Sequence, residues 1–170
     1  LQDCHGKSAA KSRRQGDFVR VLVSMCLLGV NCRYNGEPKA EQAVAELLGR
    51  NDITLIPACP EQLGGLPTPR TPSECRGESV ISVDGEDRTE AFLRGARETL
   101  RIAKQYGCSA ALLKERSPSC GSREIYDGSF NGSRIPGEGV TARLLRESGI
   151  HVFNENEIEQ LLLWCEEECV

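Results

Sequence analysis

Stretches of β-branched and apolar residues alternate along this chain with stretches whose apolar positions recur at helical spacing. FVRVLVSM (Phe18 to Met25) is apolar almost throughout, the pattern of a strand buried on both faces of a parallel sheet, and it ends at Cys26. After the polar CRYNGE, Pro38 opens an expected helix over 38–52, with Ala43, Leu47 and Leu48 at helical spacing. The apolar run ITLIPA predicts a second strand ending at Cys59, followed by a Gly/Pro-rich loop from Gly64 to Pro72. Residues 79–84 read as a short strand or hairpin arm. Asp87 is placed to cap a helix from Arg88 to about Tyr106, whose apolar face includes Ala91, Leu93, Ala96, Leu100 and Ala103. SAALLKE (Ser109 to Glu115) predicts a third strand, leading into the turn from Arg116 to Gly121 that carries Cys120. A Gly-, Asp- and Ser-rich loop to Gly139 precedes the helix VTARLLRESG, with Gly149 as its stop. IHVFN predicts the last strand, and Asn154 or Asn156 caps a final helix through Trp164 to Cys169.

Strands alternating with helices imply right-handed βαβ crossovers, so the expected fold is α/β: one domain with a doubly wound, mostly parallel, Rossmann-like sheet. In such sheets ligands sit outside the carboxyl ends of the strands, near the switch point. Cys26, Cys59 and Cys120 each follow an expected strand at that edge, although 59 − 26 = 33 and 120 − 59 = 61 positions separate them. Residues 1–17 read as an unstructured arm or an expression remnant, and 18–170 as the catalytic domain.

Composition narrows the partners. The formal net charge of −4 disfavours broad binding to a nucleic-acid backbone and leaves a small molecule as the default, with Lys11, Arg13 and Arg14 as a local basic patch. No apolar run approaches the roughly 20 residues of a membrane span. The start, LQDCHGKSAAKSRRQGD, lacks the apolar stretch of a signal peptide, so a cytoplasmic location is expected. There thiols stay reduced. Nine cysteines, an odd number, are then more readily metal ligands or catalytic groups than a disulfide framework.

Three thiolates at one edge admit zinc, an iron–sulfur cluster or thiol chemistry, and their spacing does not choose among these. The absence of any CxxC weakens a zinc ribbon and a thioredoxin-type pair. His5 lies in the arm and His151 starts a strand, where a structural role is expected. Gly29 and Gly121 would let the backbone approach a bulky cofactor, and ordinary turns explain them equally well. Pro60 and Pro118 stiffen the loops of Cys59 and Cys120. Cys32 reads as a turn residue rather than a supporting thiol, Cys75 and Cys108 as incidental small residues, and Cys165 and Cys169 as structural neighbours on one helix face. Lys114, Arg33 and Asn35 read as solvated loop residues.

SMCLLGVNCRYNG (24–36), CPEQLGGLPTPR (59–70), LKERSPSCG (113–121), IYDGSF (125–130) and GEGVTARLL (137–145) occur in the order found in the thiouracil desulfidase family, and the chain resembles that family over roughly Val19 to Phe153. The resemblance implies that Cys26, Cys59 and Cys120 bind a [4Fe-4S] cluster with one open iron, and that Glu61 and Ser117 are the catalytic side chains. It implies non-redox removal of sulfur from a thiolated pyrimidine such as thiouracil, with hydrogen sulfide released. Three other readings stay open beside it: desulfuration of thiolated nucleotides or tRNA, a non-enzymatic metal-binding or redox-sensing module, and a plain nucleotide-binding domain. The last is weakest, because no GxGxxG follows the first strand.

Overall fold

A computed structural model describes residues 18–168. The arm over 1–17, with Cys4, His5 and the basic patch, lies outside the described residues, as does Cys169. Four strands form the central sheet: β1 (Val19–Ser24), β2 (Ile53–Ala58), β5 (Ala110–Leu113) and β8 (His151–Asn154). Their order is β2-β1-β5-β8 and every pairing is parallel. The chain leaves β1 towards β2 on one side and later adds β5 on the other. The switch point therefore lies at β1.

Alternation along each strand sorts its side chains to two faces. Val19, Val21, Val23, Ala110 and Leu112 pack on one side against Val44, Leu47 and Leu161. Leu22, Ala111 and Leu113 pack on the other against Ala103, Ala142 and Leu145. Helix α1 (Gln42–Ala45) and helix α5 (Ile158–Glu168) thus cover one face, and α3 (Thr89–Gln105) and α4 (Val140–Glu147) the other. This three-layer α/β sandwich matches the expected doubly wound class.

The differences from expectation lie in the connections. The helix expected over 38–52 is reduced to α1 and a 3₁₀ turn over Glu46–Gly49. Its buried residues are Val44 and Leu47, three apart, a spacing that suits the tighter 3₁₀ turn, whereas Leu48 is exposed. Pro38 precedes the helix in a segment tied to the 3₁₀ turn after β1 by the Glu41 N–H donating to Leu27 O at 2.9 Å. In α3 the buried face is Phe92, Gly95, Ala96, Thr99 and Ala103, and Leu93 is largely exposed. The N-cap position of α3 falls on Arg88, without a side-chain cap, and Asp87 just before it accepts the Thr89 N–H at 2.8 Å. The arm expected at 79–84 is β4 (Ser79–Ser82), and its antiparallel partner β3 (Ser73–Arg76) lies in a stretch that carried no strand signal. A second hairpin, β6 (Glu124–Tyr126) with β7 (Arg134–Pro136), lies inside the expected loop before Gly139. Gly149 adopts φ 84° just past α4, the left-handed stop its position implied.

Candidate active site

Each cysteine expected at the sheet edge is delivered by a turn that its own sequence sets. β1 runs into a single 3₁₀ turn, Met25–Leu27, which holds Cys26 half-buried. β2 ends at Ala58, and Cys59 is the N-cap of a one-turn helix, α2 (Pro60–Leu63), with Pro60 pre-set for the first helical position and Glu61 in the first turn. After β5, Arg116 sits at φ 66° and starts the Ser-Pro-Ser-Cys turn. The Ser117 hydroxyl oxygen accepts the N–H groups of Ser119 and Cys120, both at 3.1 Å, which folds the turn onto itself. Its proton is directed to Glu61 Oε1 at 3.4 Å.

These turns surround one cavity of about 510 Å³, lined by Cys26, Cys59, Cys120, Glu61 and Ser117. The structure thus brings together all five residues singled out in the sequence. It adds others that sequence reasoning set aside. Cys32 is buried in the same wall, and Cys59 Sγ lies 3.8 Å from its carbonyl oxygen. The Ser24 hydroxyl donates to Cys120 Sγ at 3.5 Å and accepts the Lys114 N–H at 3.1 Å, fixing the end of β1 against the third thiol. The Cys75 thiol donates to Pro118 O at 3.5 Å, under the Cys120 turn. Arg70 lines the cavity and pairs with Glu61. Lys114 lines it too, paired with Glu155, and Arg33 stands at its edge. Asn35 bonds instead to Glu37. His151 is exposed and stacks on Trp164 with ring centroids 4.9 Å apart, while Cys165 is buried in the core beneath α5.

The thiols differ in how readily they lose a proton. Hydrogen bonding from Cys32 lowers Cys26 against the opposing effect of burial. The same donor brings Cys59 down to about 7, opposed by burial and helped by the Gln62 backbone. Cys32 is pushed far up as it keeps the proton that it shares with them. Burial also raises Cys120, with the Ser24 hydroxyl as a partial offset. Cys32, read in the sequence as a turn residue, thus stands in the cavity wall beside Cys26 and Cys59 and lowers both of their thiols.

The donor set suits a polynuclear cofactor. Among the described residues, no three His, Cys, Asp or Glu side chains close on one point as a single metal ion requires. Cys26, Cys59 and Cys120 instead line one shared cavity. Its volume falls in the range of about 300–1,000 Å³ typical of small-molecule sites.

Comparison with known proteins gives this geometry a lineage. A family model described as 2-thiouracil desulfurase matches residues 21–157. The chain belongs to the 2-thiouracil desulfurase family. Those residues contain every strand of the central sheet except the start of β1, and all the cysteines that line the cavity. Within the curated proteins, the uncharacterized protein YbbK of Bacillus subtilis (strain 168) is 44% identical over 152 residues, covering 84% of this chain and 99% of its own length. Among solved structures, a [4Fe-4S]-dependent thiouracil desulfidase, TudS, superposes with a TM-score of 0.81 at 43% identity, covering 87% of this chain and 98% of that one. The desulfurase family fold, a parallel sheet flanked by helices, is the fold of this chain.

Proposed function

We propose that this protein is a [4Fe-4S]-dependent desulfidase that converts a thiouracil-type pyrimidine and water into the oxo base and hydrogen sulfide. The observation that carries the reading is the convergence of Cys26, Cys59 and Cys120 on one cavity that also holds a hydrogen-bonded Glu61 and Ser117. Family membership and the likeness to TudS support it.

In this reading the three thiolates hold the cluster, and Cys32 keeps Cys26 and Cys59 ready to deprotonate, as metal binding demands. A cluster held there by Cys26, Cys59 and Cys120 would supply a Lewis-acidic iron suited to the soft thiocarbonyl sulfur, which would make the ring carbon more electrophilic. Glu61 takes the proton of the water that attacks this carbon, through Oε1, the oxygen that Arg70 does not hold, and returns a proton to the departing sulfur or a ring nitrogen. Ser117 orients Glu61 through its hydroxyl proton and braces the Cys120 turn through its oxygen. The overall exchange, C=S + H₂O to C=O + H₂S, transfers no electrons. A reducing compartment such as the cytoplasm, which preserves free thiols, is the location proposed with it.

The test is turnover of 2- and 4-thiouracil by cluster-loaded Glu61→Gln and Ser117→Ala. Glu61→Gln is expected to lose at least about 100-fold in kcat, within the range of a removed general base, while keeping its iron and labile sulfide. Wild-type turnover in Glu61→Gln would overturn the assignment of Glu61.

A further inference from the structure

The Pro/Gly-rich loop after α2 ends in a buried cation. The Arg70 side chain is 8% exposed and the Glu61 side chain it faces 15% exposed. Arg70 Nε donates to Glu61 Oε2 at 2.6 Å. Nη2 donates to Cys32 O at 2.9 Å, and Nη1 to Pro67 O at 3.1 Å and Thr68 Oγ1 at 3.3 Å. The Arg70 backbone N–H donates to Tyr34 O at 2.8 Å, and Gln62 Nε2 to Thr68 Oγ1 at 2.8 Å. One guanidinium thus joins three cavity-lining segments: the Cys32 loop, the Cys59–Glu61 turn and the loop over 67–70.

We propose that Arg70 is a positioning residue for the desulfuration: it locks one oxygen of Glu61 and leaves the other free to handle protons, in register with the thiol loops. The proposal rests on the reading of Glu61 as the proton-handling group. Geometry explains why arginine is needed. The rigid fork reaches a carboxylate and three further acceptors at once, whereas an ammonium on a flexible stem is a point charge without that spread. Ser117 reaches Glu61 Oε1 only at 3.4 Å, against 2.6 Å for Arg70 Nε on Oε2, so Arg70 is the stronger of the two restraints on the carboxylate's orientation. A displacement of about 1 Å in a reacting group is enough to cost roughly 100-fold in rate. The guanidinium hydrogen bonds go to Glu61 and to oxygens of Cys32, Pro67 and Thr68 rather than to a cysteine sulfur, so removal of Arg70 should slow the reaction without emptying the site.

The experiment compares cluster-loaded wild type, Arg70→Gln, Arg70→Lys, Glu61→Gln and the Glu61→Gln/Arg70→Gln double variant on 2-thiouracil, with iron, labile sulfide and Tm measured on the same samples. The expected result is a fall in kcat of about 100-fold in Arg70→Gln and about tenfold in Arg70→Lys, with KM changed by less than about threefold and iron and sulfide retained. In the Glu61→Gln background the same Arg70→Gln change should cost less than about threefold, because the group it positions is already gone. Glu61→Asp serves as the background if the glutamine variant is too slow to read, and Arg70→Lys carries the test if Arg70→Gln does not fold. Multiplying losses in the double variant, or cluster loss in step with activity, would overturn the proposal while leaving Glu61 catalytic. Wild-type turnover in Glu61→Gln would remove the reading and the proposal together.

Discussion

Glu115 is 6% exposed and charged, beside the cavity but outside the set of residues singled out in the sequence. Its carboxylate accepts the N–H groups of Ser122, Arg123 and Glu124 at 3.2, 3.1 and 2.8 Å and the Ser122 hydroxyl at 2.9 Å, pinning the chain just beyond Cys120. Burial would raise this carboxyl, but those four bonds outweigh it and hold it below its ordinary value. A depressed carboxyl stabilises the fold above its unfolded pKa, and the contribution is lost as pH falls through the folded one. Glu115→Gln should therefore lower Tm at pH 7 and differ less and less from wild type below about pH 4. A Tm gap that does not change with pH would contradict the role given to the charge. Glu115→Ala, which strands four donors, should cost on the order of 3 kcal/mol in chemical denaturation.

At this scale the sequence made the three cysteines legible because each follows an expected strand, and Glu61 and Ser117 only through the resemblance of their motifs to the desulfidase family. It hid their supports. Arg70 gains meaning only when the loop over 64–70 folds back on Glu61, and Ser24 only when β1 and β5 are adjacent. Cys32 looked like a turn residue because its six-residue offset from Cys26 carries no information about Cys59, which reaches it from another strand.

Between elements, close backbone approach sets the site. A Cβ on Gly95 of α3 would stand 1.9 Å from Pro60 O, and one on Gly139, ahead of α4, 2.4 Å from Ser119 C. α3 and α4 thus press directly on the turns that carry Cys59 and Cys120. Gly95→Ala should cost about 2 kcal/mol by overpacking, a fall in Tm of about 6 °C, and should reduce turnover by moving Glu61. Gly49→Ala, where a Cβ meets nothing within 4 Å, is the control and should be close to neutral. An unchanged Tm in Gly95→Ala would contradict the packing described. The inner strands β1 and β5 were legible because burial on both faces leaves at most one polar position exposed, and the edge strands β2 and β8 through their apolar residues, although Thr54 and His151 are exposed. Of the two hairpins only the arm that became β4 was legible: their strands are three or four residues long and gain stability from remote partners, such as Glu74, which accepts the Gly128 and Phe130 N–H groups at 3.0 and 3.1 Å.

For the whole molecule, the parallel order β2-β1-β5-β8 places the ends of β1, β2 and β5 around one switch-point cavity, so residues 61 positions apart act as a single site. In the proposed reading, a cofactor held by these three turns would tie the chain together where the sheet alone does not. Anaerobic removal of iron with a chelator should then lower Tm, and reconstitution should restore it, because binding to the folded state alone adds stability. An identical Tm with and without iron would count against ligation from all three turns.

The central claim is most directly tested by purifying the protein anaerobically, quantifying iron and acid-labile sulfide, and following loss of thiocarbonyl absorbance with 2- and 4-thiouracil on the same sample. About four irons and four sulfides per chain together with uracil formation, both lost on replacing Cys26, Cys59 or Cys120 by serine, is the predicted result. Stoichiometric zinc with no assembled cluster, or thiouracil turnover undiminished in those serine variants, would contradict it.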